Sequence, residues 1–407
     1  MKKVGVLSVA VATLAGLSQS AFSQSSVTIY GTLDEGINYI SSAQTATATG
    51  RSGGQVFSLT SGAKQGNRLG FKGAEDLGGG MKAIFTLENG FDISTGKFSQ
   101  GGLLFGRQAF VGLSTPYGAL TLGRQYDSST DFVGPFESGS SWAGNIGAHP
   151  GDIDGLNYSF RTNNSIKYTS LSYSGLKFGG MYSLGGVPGD VTRDQVWALA
   201  AGYDAGGFSA AVGFVNIKNP NLSYFGTSGT SGGASVNNMG STSLTGVQGN
   251  PIYSGYASAH SEQKLDMGAS YKIAALTIGG TYSNIHFSSL GDTQSGPNPF
   301  HYHGTAIFNN VEVNASYMIR PTLLVGASYD YLSNSGAAGQ SGAHYQQVDL
   351  VLDYFLSTRT DVYLMGLYQK ASGRDSTGQQ AVASLNTLTP SNTDRIGLVR
   401  IGLRQKF

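Results

Sequence analysis

Many stretches of the chain alternate apolar and polar residues with a period of two. In the last stretch, Val399 and Ile401 share one face of a predicted strand, and Arg400 and Arg404 share the other. A period of two is the signal of a β-strand whose two faces meet different surroundings. Because one face is apolar and the other charged, the pattern predicts strands with lipid on one side and water on the other, as in a membrane barrel.

Sixteen segments have this strand character, at about 26–40, 66–73, 80–92, 104–114, 118–125, 158–169, 175–184, 192–203, 207–218, 262–272, 275–287, 306–319, 321–332, 345–356, 360–370 and 394–407. Tight turns alternate with long polar loops, at about 41–65, 126–157, 219–261, 288–305, 333–344 and 371–393. This alternation is typical of transmembrane barrels. The predicted fold is all-β, a transmembrane 16-stranded antiparallel β-barrel, and the low-complexity loop 219–261 is expected to be mobile.

The N-terminal segment is typical of an export signal. Lys2 and Lys3 precede an apolar run from Val4 to Leu17, and small residues flank Phe22 before Gln24. This order predicts a signal peptide over 1–23 and a mature barrel domain over 24–407. No other segment approaches the roughly 18 consecutive apolar residues of a membrane-spanning helix, so a helical membrane protein is excluded.

Composition narrows the class of protein further. The chain carries 25 Lys and Arg against 24 Asp and Glu, which gives no indication of nucleic-acid binding. It has no Cys, so neither disulfides nor thiolate metal sites contribute. The 22 Tyr and 20 Phe suit the aromatic girdles of a membrane barrel, and the 61 Gly suit turns and bent strands. A Gly-rich solenoid would require a short fixed repeat, and none is visible.

Enzymatic motifs are lacking in the sequence. The six His fall mainly in loops or near strand ends, and neither Gly-x-Ser-x-Gly nor His-Glu-x-x-His accompanies them. His301 and His303 could share a metal, but without a third ligand nearby they are better interpreted as solvated loop residues. We therefore expect neither a cofactor, a metal nor enzymatic activity.

Several motifs resemble the Gram-negative general porins, especially those of β-proteobacteria. They are 27–34 (VTIYGTLD), 67–83 (NRLGFKGAEDLGGGMKA), 105–113 (FGRQAFVGL), 122–126 (LGRQY) and the terminal Phe407. The resemblance covers essentially the whole mature chain. It implies a homotrimer of 16-stranded barrels, each narrowed by an inward-folded third loop whose acidic residues face a cluster of wall arginines.

The resemblance also assigns the residues of this constriction. The wall arginines are Arg68, Arg107 and Arg161, and alternation puts Arg68 opposite Leu69 and Arg107 opposite Phe110. The third loop is expected at about 127–147. Its acidic candidates are Asp131 and Glu137, with Asp127 behind them, and Glu88 is the wall carboxylate. Phe407, Leu403 and Ile401 form the C-terminal assembly signature. Thr32 stands where the family often has Lys, which removes one cation.

The function that follows is passive diffusion of small hydrophilic solutes and ions across the outer membrane of a Gram-negative bacterium, with weak anion preference. The expected partners are the other subunits of a homotrimer, outer-membrane lipid and lipopolysaccharide, the barrel-assembly machinery and the solutes, and nucleic acid is not among them. A substrate-specific channel, a structural or adhesive barrel and a barrel enzyme such as a lipase remain as alternatives. A run of aromatic residues along the bore would favour the substrate-specific channel. A closed bore would favour the structural or adhesive barrel, and a Ser/His/Asp cluster would favour the enzyme.

Overall fold

A computed structural model describes residues 26–48 and 50–407. The predicted signal peptide, 1–23, lies outside the described residues. In the described part, seventeen strand segments account for most of the structure: β1 Ser26–Thr47, β2 Gly50–Ser61, β3 Arg68–Gly78, β4 Met81–Gly90, β5 Gln108–Thr115, β6 Gly118–Gln125, β7 Thr162–Ser170, β8 Leu176–Ser183, β9 Val196–Ala205, β10 Phe208–Lys218, β11 Ser261–Ile273, β12 Leu276–Leu290, β13 Gly304–Arg320, β14 Leu323–Asn334, β15 Ala343–Phe355, β16 Thr360–Gly373 and β17 Arg395–Lys406.

Helical structure in the described residues is confined to short pieces in the loops. There are two short α-helices, α1 Ser128–Val133 and α2 Pro220–Ser223. Further single helical turns lie at Gly134–Phe136, Gly139–Ala143, Asn145–Gly147, Pro150–Asp152, Phe225–Thr227 and Ser254–Tyr256. Across the described residues, every helix is too short or too polar to cross a membrane.

All strand pairs are antiparallel, and the sheet closes on itself. The last strand, β17, pairs with β16 on one edge and with β1 on the other, where the register runs from Thr32 opposite Lys406 to Ile40 opposite Leu398. Closure removes the free edges that an open sheet would expose. Because β2 and β3 both pair with the same edge of β1, they are two parts of one wall strand. The predicted 16-stranded antiparallel barrel is thus confirmed.

The tall first hairpin differs from the sequence prediction. The segment 41–65 was expected to be a loop, but β1 continues to Thr47 and β2 occupies most of the rest. The register between β1 and β2 shifts between Ile40 and Ala43, and pairing then resumes. Backbone pairing with β1 holds this segment extended although its Gly and Ser residues give little apolar alternation.

Alternation along the strands separates the lipid-facing surface from the interior. In β15, Val348, Leu350 and Leu352 are exposed, whereas Asp349 and Asp353, at the alternate positions, are buried inside the barrel. Side chains of successive strand residues point to opposite faces, so the outer surface is apolar and the interior carries the charges.

Part of the interior is filled by loops. The loop between β10 and β11 was expected to be mobile, yet residues 251–259 are buried against the wall. Tyr253 and Tyr256 pack against Phe287, and Tyr256 also contacts Phe308. This aromatic cluster fixes the loop inside the barrel, and the open part of the bore lies towards β3, β15 and β17.

Candidate functional site

The loop between β6 and β7, which we call the third loop (residues 126–161), lies against the inner wall of the barrel. It opens with α1, whose first backbone N–H groups are capped by Asp127, which accepts a hydrogen bond of 2.9 Å from the Thr130 N–H. The loop is hydrogen-bonded to two wall strands: the Ser129 hydroxyl donates to Asp266 of β11 (2.6 Å), and the backbone N–H of Ser138 donates to Glu312 of β13 (2.9 Å). These contacts hold the loop against the wall inside the barrel.

Glycines on the inner wall leave room for three aromatic rings of the third loop. Phe132 packs on Gly202, Phe136 packs on Gly268 and Trp142 packs on Gly326. A Cβ at Gly268 would come within 2.7 Å of Phe136, so no other residue fits there without displacing the ring. Because these wall positions lack side chains, the aromatic rings lie directly on the backbone and the loop comes close to the wall.

A central cavity of about 880 Å³ remains beside the third loop. Its charged lining residues are Lys64, Arg68, Arg107, Arg161, Arg404, Lys406, Asp92, Asp131 and Asp353. The three arginines predicted from the sequence therefore share one water-accessible space, and positive charge exceeds negative charge around it.

Tyr126 joins two of these arginines. Its hydroxyl accepts hydrogen bonds from Arg107 (3.0 Å) and Arg161 (2.9 Å), and the Arg161 guanidinium lies 5.0 Å from the centre of the Tyr126 ring. Burial would raise the pKa of Tyr126, but Arg107 and then Arg161 outweigh burial and lower it. The sequence analysis missed this role, although Tyr126 ends the 122–126 motif.

Glu88 supports the same cluster from the wall. Its carboxylate accepts from the Arg107 Nε at 2.6 Å and from the Tyr30 hydroxyl at 2.9 Å. Arg107 itself reaches the cavity for a reason that the predicted alternation did not give. Val111 and Leu113 of β5 face outward, so the alternation of that strand would send position 107 outward too. Arg107 turns inward because it precedes the first residue of β5.

The acidic candidates of the third loop occupy different positions. Asp131 lines the cavity and forms an ion pair of 2.6 Å with Lys167 of β7. Asp127 is buried behind it as the cap of α1. Glu137 is wholly buried between loop and wall, where it accepts from the His149 N–H (3.0 Å) and from Ser140 (3.1 Å). This placement corrects the expectation that Glu137 faces the arginines.

Glu137 turns away from the cavity because Phe136 precedes it. The Phe136 ring lies on Gly268 of the wall, and Glu137 therefore points towards the backbone of the same loop at His149. The carboxylate of Glu137 then serves as an internal acceptor for an otherwise unpaired N–H, which is a common role of buried carboxylates.

A second inward segment was missed by the sequence analysis. Residues 62–67 interrupt the wall strand between β2 and β3, and Lys64 extends from them to Asp353 and Asp361 of β15 and β16. The tip of the third loop rests on this segment, since Asn145 donates to the Gly62 carbonyl (2.8 Å). A lone Lys among Gly, Ser and Ala gave no periodic signal from which this position could be read.

The C-terminal residue closes the barrel. Gly31 donates its N–H to the Phe407 carbonyl (3.0 Å) and accepts from the Phe407 N–H (3.1 Å). The Phe407 ring lies over Gly31, while Leu403 and Ile401 are exposed on the outer face of β17.

A closed barrel of 16 antiparallel strands with an apolar exterior and a charged interior defines the class of outer-membrane β-barrels. Residues 8–374 match the Gram-negative porin family, and the chain belongs to that family. It is therefore a protein of the Gram-negative outer membrane. Membership in a family of porins also agrees with the prediction that the chain is not an enzyme.

Individual relatives agree with this membership. The chain is 34% identical over 233 residues to an outer membrane porin protein of Bordetella pertussis and 33% identical over 224 residues to outer membrane porin protein 32 of Delftia acidovorans. Each match covers 52% of this chain and 59% of the relative. The chain thus spans little more than half the length of these curated relatives.

Solved structures share the fold across nearly the whole chain. The anion-selective porin from Comamonas acidovorans superposes with a TM-score of 0.68 at 20% identity, covering 94% of this chain and 100% of its own. The Vibrio cholerae outer membrane protein OmpT, folded in vitro, has a TM-score of 0.61 at 16% identity, covering 94% and 98%. At these identities the likeness concerns the fold alone.

Proposed function

We propose that the protein is a passive diffusion channel for small hydrophilic solutes and ions. The observation that carries this proposal is the water-accessible cavity beside the third loop, lined by Arg68, Arg107 and Arg161. A barrel of this strand number encloses an aqueous channel rather than a packed core. The third loop and segment 62–67 narrow that channel. Solutes pass through it by diffusion, and no chemical step is required.

The charges around the cavity support a weak preference for anions. Six cationic side chains and three carboxylates line it. Two of the carboxylates, Asp131 and Asp353, are engaged in ion pairs, and so are the cations Lys64, Arg107 and Arg404. Near neutral pH arginine stays charged, so the cavity keeps its positive excess there. Rings or patches of Arg and Lys select anions in pores, whereas carboxylate rings select cations.

The same arrangement favours polar over apolar solutes. The guanidinium groups of Arg107 and Arg161 and the carboxylate of Asp131 line the same cavity. Opposite charges around a narrow aqueous space order the water between them. A polar solute replaces these hydrogen bonds, and an apolar solute does not.

Three partners complete the proposal. The apolar outer surface is in contact with outer-membrane lipid and lipopolysaccharide, and part of it forms the interface of a homotrimer. The barrel-assembly machinery recognises the terminal strand with Phe407, Leu403 and Ile401. The mature chain is 24–407, and 1–23 is removed on export.

Solute entry into liposomes tests the proposal. Purified protein is reconstituted, and entry is followed for neutral sugars of increasing size and for an apolar solute of matched mass. We expect entry rates that fall with increasing sugar size. Once direct passage through the lipid is subtracted, the apolar solute should enter more slowly than the sugar of matched mass. A folded barrel in vesicles that admit no sugar would overturn the proposal and favour a structural or adhesive role.

A further inference from the structure

A buried histidine joins the third loop to the barrel wall. His149 is 1% exposed, and both of its ring nitrogens face carboxylates. Nδ1 lies 2.7 Å from Asp154 of the same loop, and Nε2 lies 3.5 Å from Glu312 of β13 and 3.6 Å from Asp330 of β14. Thr281 of β12 is 3.2 Å from the same Nε2. The imidazole therefore bridges the loop and three wall strands.

Protonation gives the ring a favourable interaction with carboxylates on both sides. A neutral imidazole donates from one nitrogen and presents a lone pair at the other, whereas the imidazolium donates from both. The neutral ring can donate from Nδ1 to Asp154 and accept the Thr281 hydroxyl at Nε2, but it then turns a lone pair towards Glu312 and Asp330. Only the imidazolium places a positive charge between the loop carboxylate and the two wall carboxylates.

Carboxylates predominate around the ring. The titratable groups that interact with it are Glu137, Asp152 and Asp154 from the third loop, Glu312 from β13 and Asp330 from β14. Next to these carboxylates lie Asp349 of β15 and Asp266 of β11, and Asp266 has the cation Lys264 beside it on β11. Ser138 adds further links to the wall, because its N–H donates to Glu312 (2.9 Å) and its hydroxyl donates to Ser328 (3.2 Å). Removing the one imidazolium would leave loop and wall carboxylates facing each other at low dielectric.

We propose that protonated His149 positions the third loop against the wall, and that loss of its proton at alkaline pH loosens the loop and alters the bore. This inference rests on the proposed channel function only for its effect on current. The loosening itself concerns the fold.

The direction of the pH dependence follows from the charges. Burial would lower the pKa of His149, but Asp154, Glu137 and Asp330 outweigh it and raise the pKa well above its ordinary value. A group whose pKa is raised on docking stabilises the docked state below its ordinary pKa, and this stabilisation is lost as pH rises through the raised pKa. Burial and then Asp154 raise the pKa of Asp152 to about 7, so its ionisation opposes docking in the same direction.

Thiol labelling tests the inference without any current. The chain has no Cys, so Ser138→Cys introduces a single thiol at a buried loop position. At one fixed pH near 7, we expect the His149→Asn background to label about tenfold to hundredfold faster, since a charge-assisted hydrogen bond is lost. His260→Asn is the matched control, because His260 forms a 2.9 Å pair with Asp292 at an exposed position. Equal labelling of the three backgrounds would overturn the inference.

Locking the loop with a disulfide gives a second test, in which His149 itself is unchanged in the locked variant. Ser138→Cys/Ser328→Cys places two sulfurs where the hydroxyl oxygens are 3.2 Å apart, a spacing that permits a disulfide after slight adjustment. In planar bilayers, raising the pH from about 7 to about 10 should increase current fluctuations of the wild type and of the reduced pair. The oxidised pair and His149→Asn should show no such rise.

The outcomes separate the two proposals. A barrel that never conducts refutes the channel function, and labelling then decides the role of His149 alone. A conducting barrel whose fluctuations rise equally with and without the disulfide refutes the inference and leaves the channel intact.

Discussion

The arginines at the cavity give the most quantitative prediction. One uncompensated charge in a space of about 880 Å³ corresponds to roughly 2 M of counter-ions, well above the salt of most bilayer experiments. Replacing Arg107 and Arg161 by Gln removes two cations from the six at the cavity and frees Glu88 from its partner. We therefore expect the anion preference of the Arg107→Gln/Arg161→Gln variant to vanish or to give way to cation preference.

The assay is the reversal potential in a salt gradient, measured at low and at high salt. The selectivity of the wild type should weaken as salt rises towards about 1 M, where screening acts over roughly 3 Å. Arg107→Lys/Arg161→Lys keeps the charges but not the planar fork, so its selectivity should remain while its conductance changes. Arg395→Gln, at an exposed position on the outer end of β17, is the matched control. An unchanged reversal potential in the Gln variant would refute the reasoning.

Three further predictions concern the loop and the closure of the barrel. Asp131→Asn should strengthen anion preference because it leaves Lys167 without its partner. Glu137→Gln should leave the reversal potential unchanged and loosen the loop. Equal shifts of the reversal potential in both variants would contradict the placement of Glu137. Gly326→Ala should lower the free energy of unfolding by about 1–3 kcal/mol, because the added methyl group overpacks against Trp142. Gly366→Ala should be nearly neutral, because a Cβ there meets nothing within 4 Å. Equal melting temperatures of the two variants would refute the packing of Trp142 on Gly326. Phe407→Ala should slow folding into lipid vesicles and leave the conductance of folded barrels unchanged, because the ring covers Gly31 at the seam between β1 and β17; unchanged folding kinetics would count against this role.

The sequence predicted what depends on local alternation. A period of two carries a side chain to the same face whatever the rest of the barrel does, so Arg68 and Glu88 could be placed inside from their neighbours alone. Arg107 also lines the cavity, but alternation along β5 does not explain its position, because Arg107 stands before its strand and not within it.

Loop positions could not be read in this way. Glu137 turns away from the bore because Phe136 takes the seat on Gly268, a contact between residues far apart in the chain. Lys64 and His149 likewise gain their roles from wall carboxylates that only the closed barrel brings near. The loop before β11 looked mobile by composition, and its few aromatic residues, such as Tyr253 and Tyr256, decide otherwise.

Single-channel recording of the wild-type protein in a planar bilayer under a salt gradient shows whether the barrel is a positively charged diffusion channel. We expect stepwise currents that close in threes and a reversal potential of anionic sign. A folded barrel that carries no current, or one whose reversal potential has cationic sign, would contradict a positively charged diffusion channel.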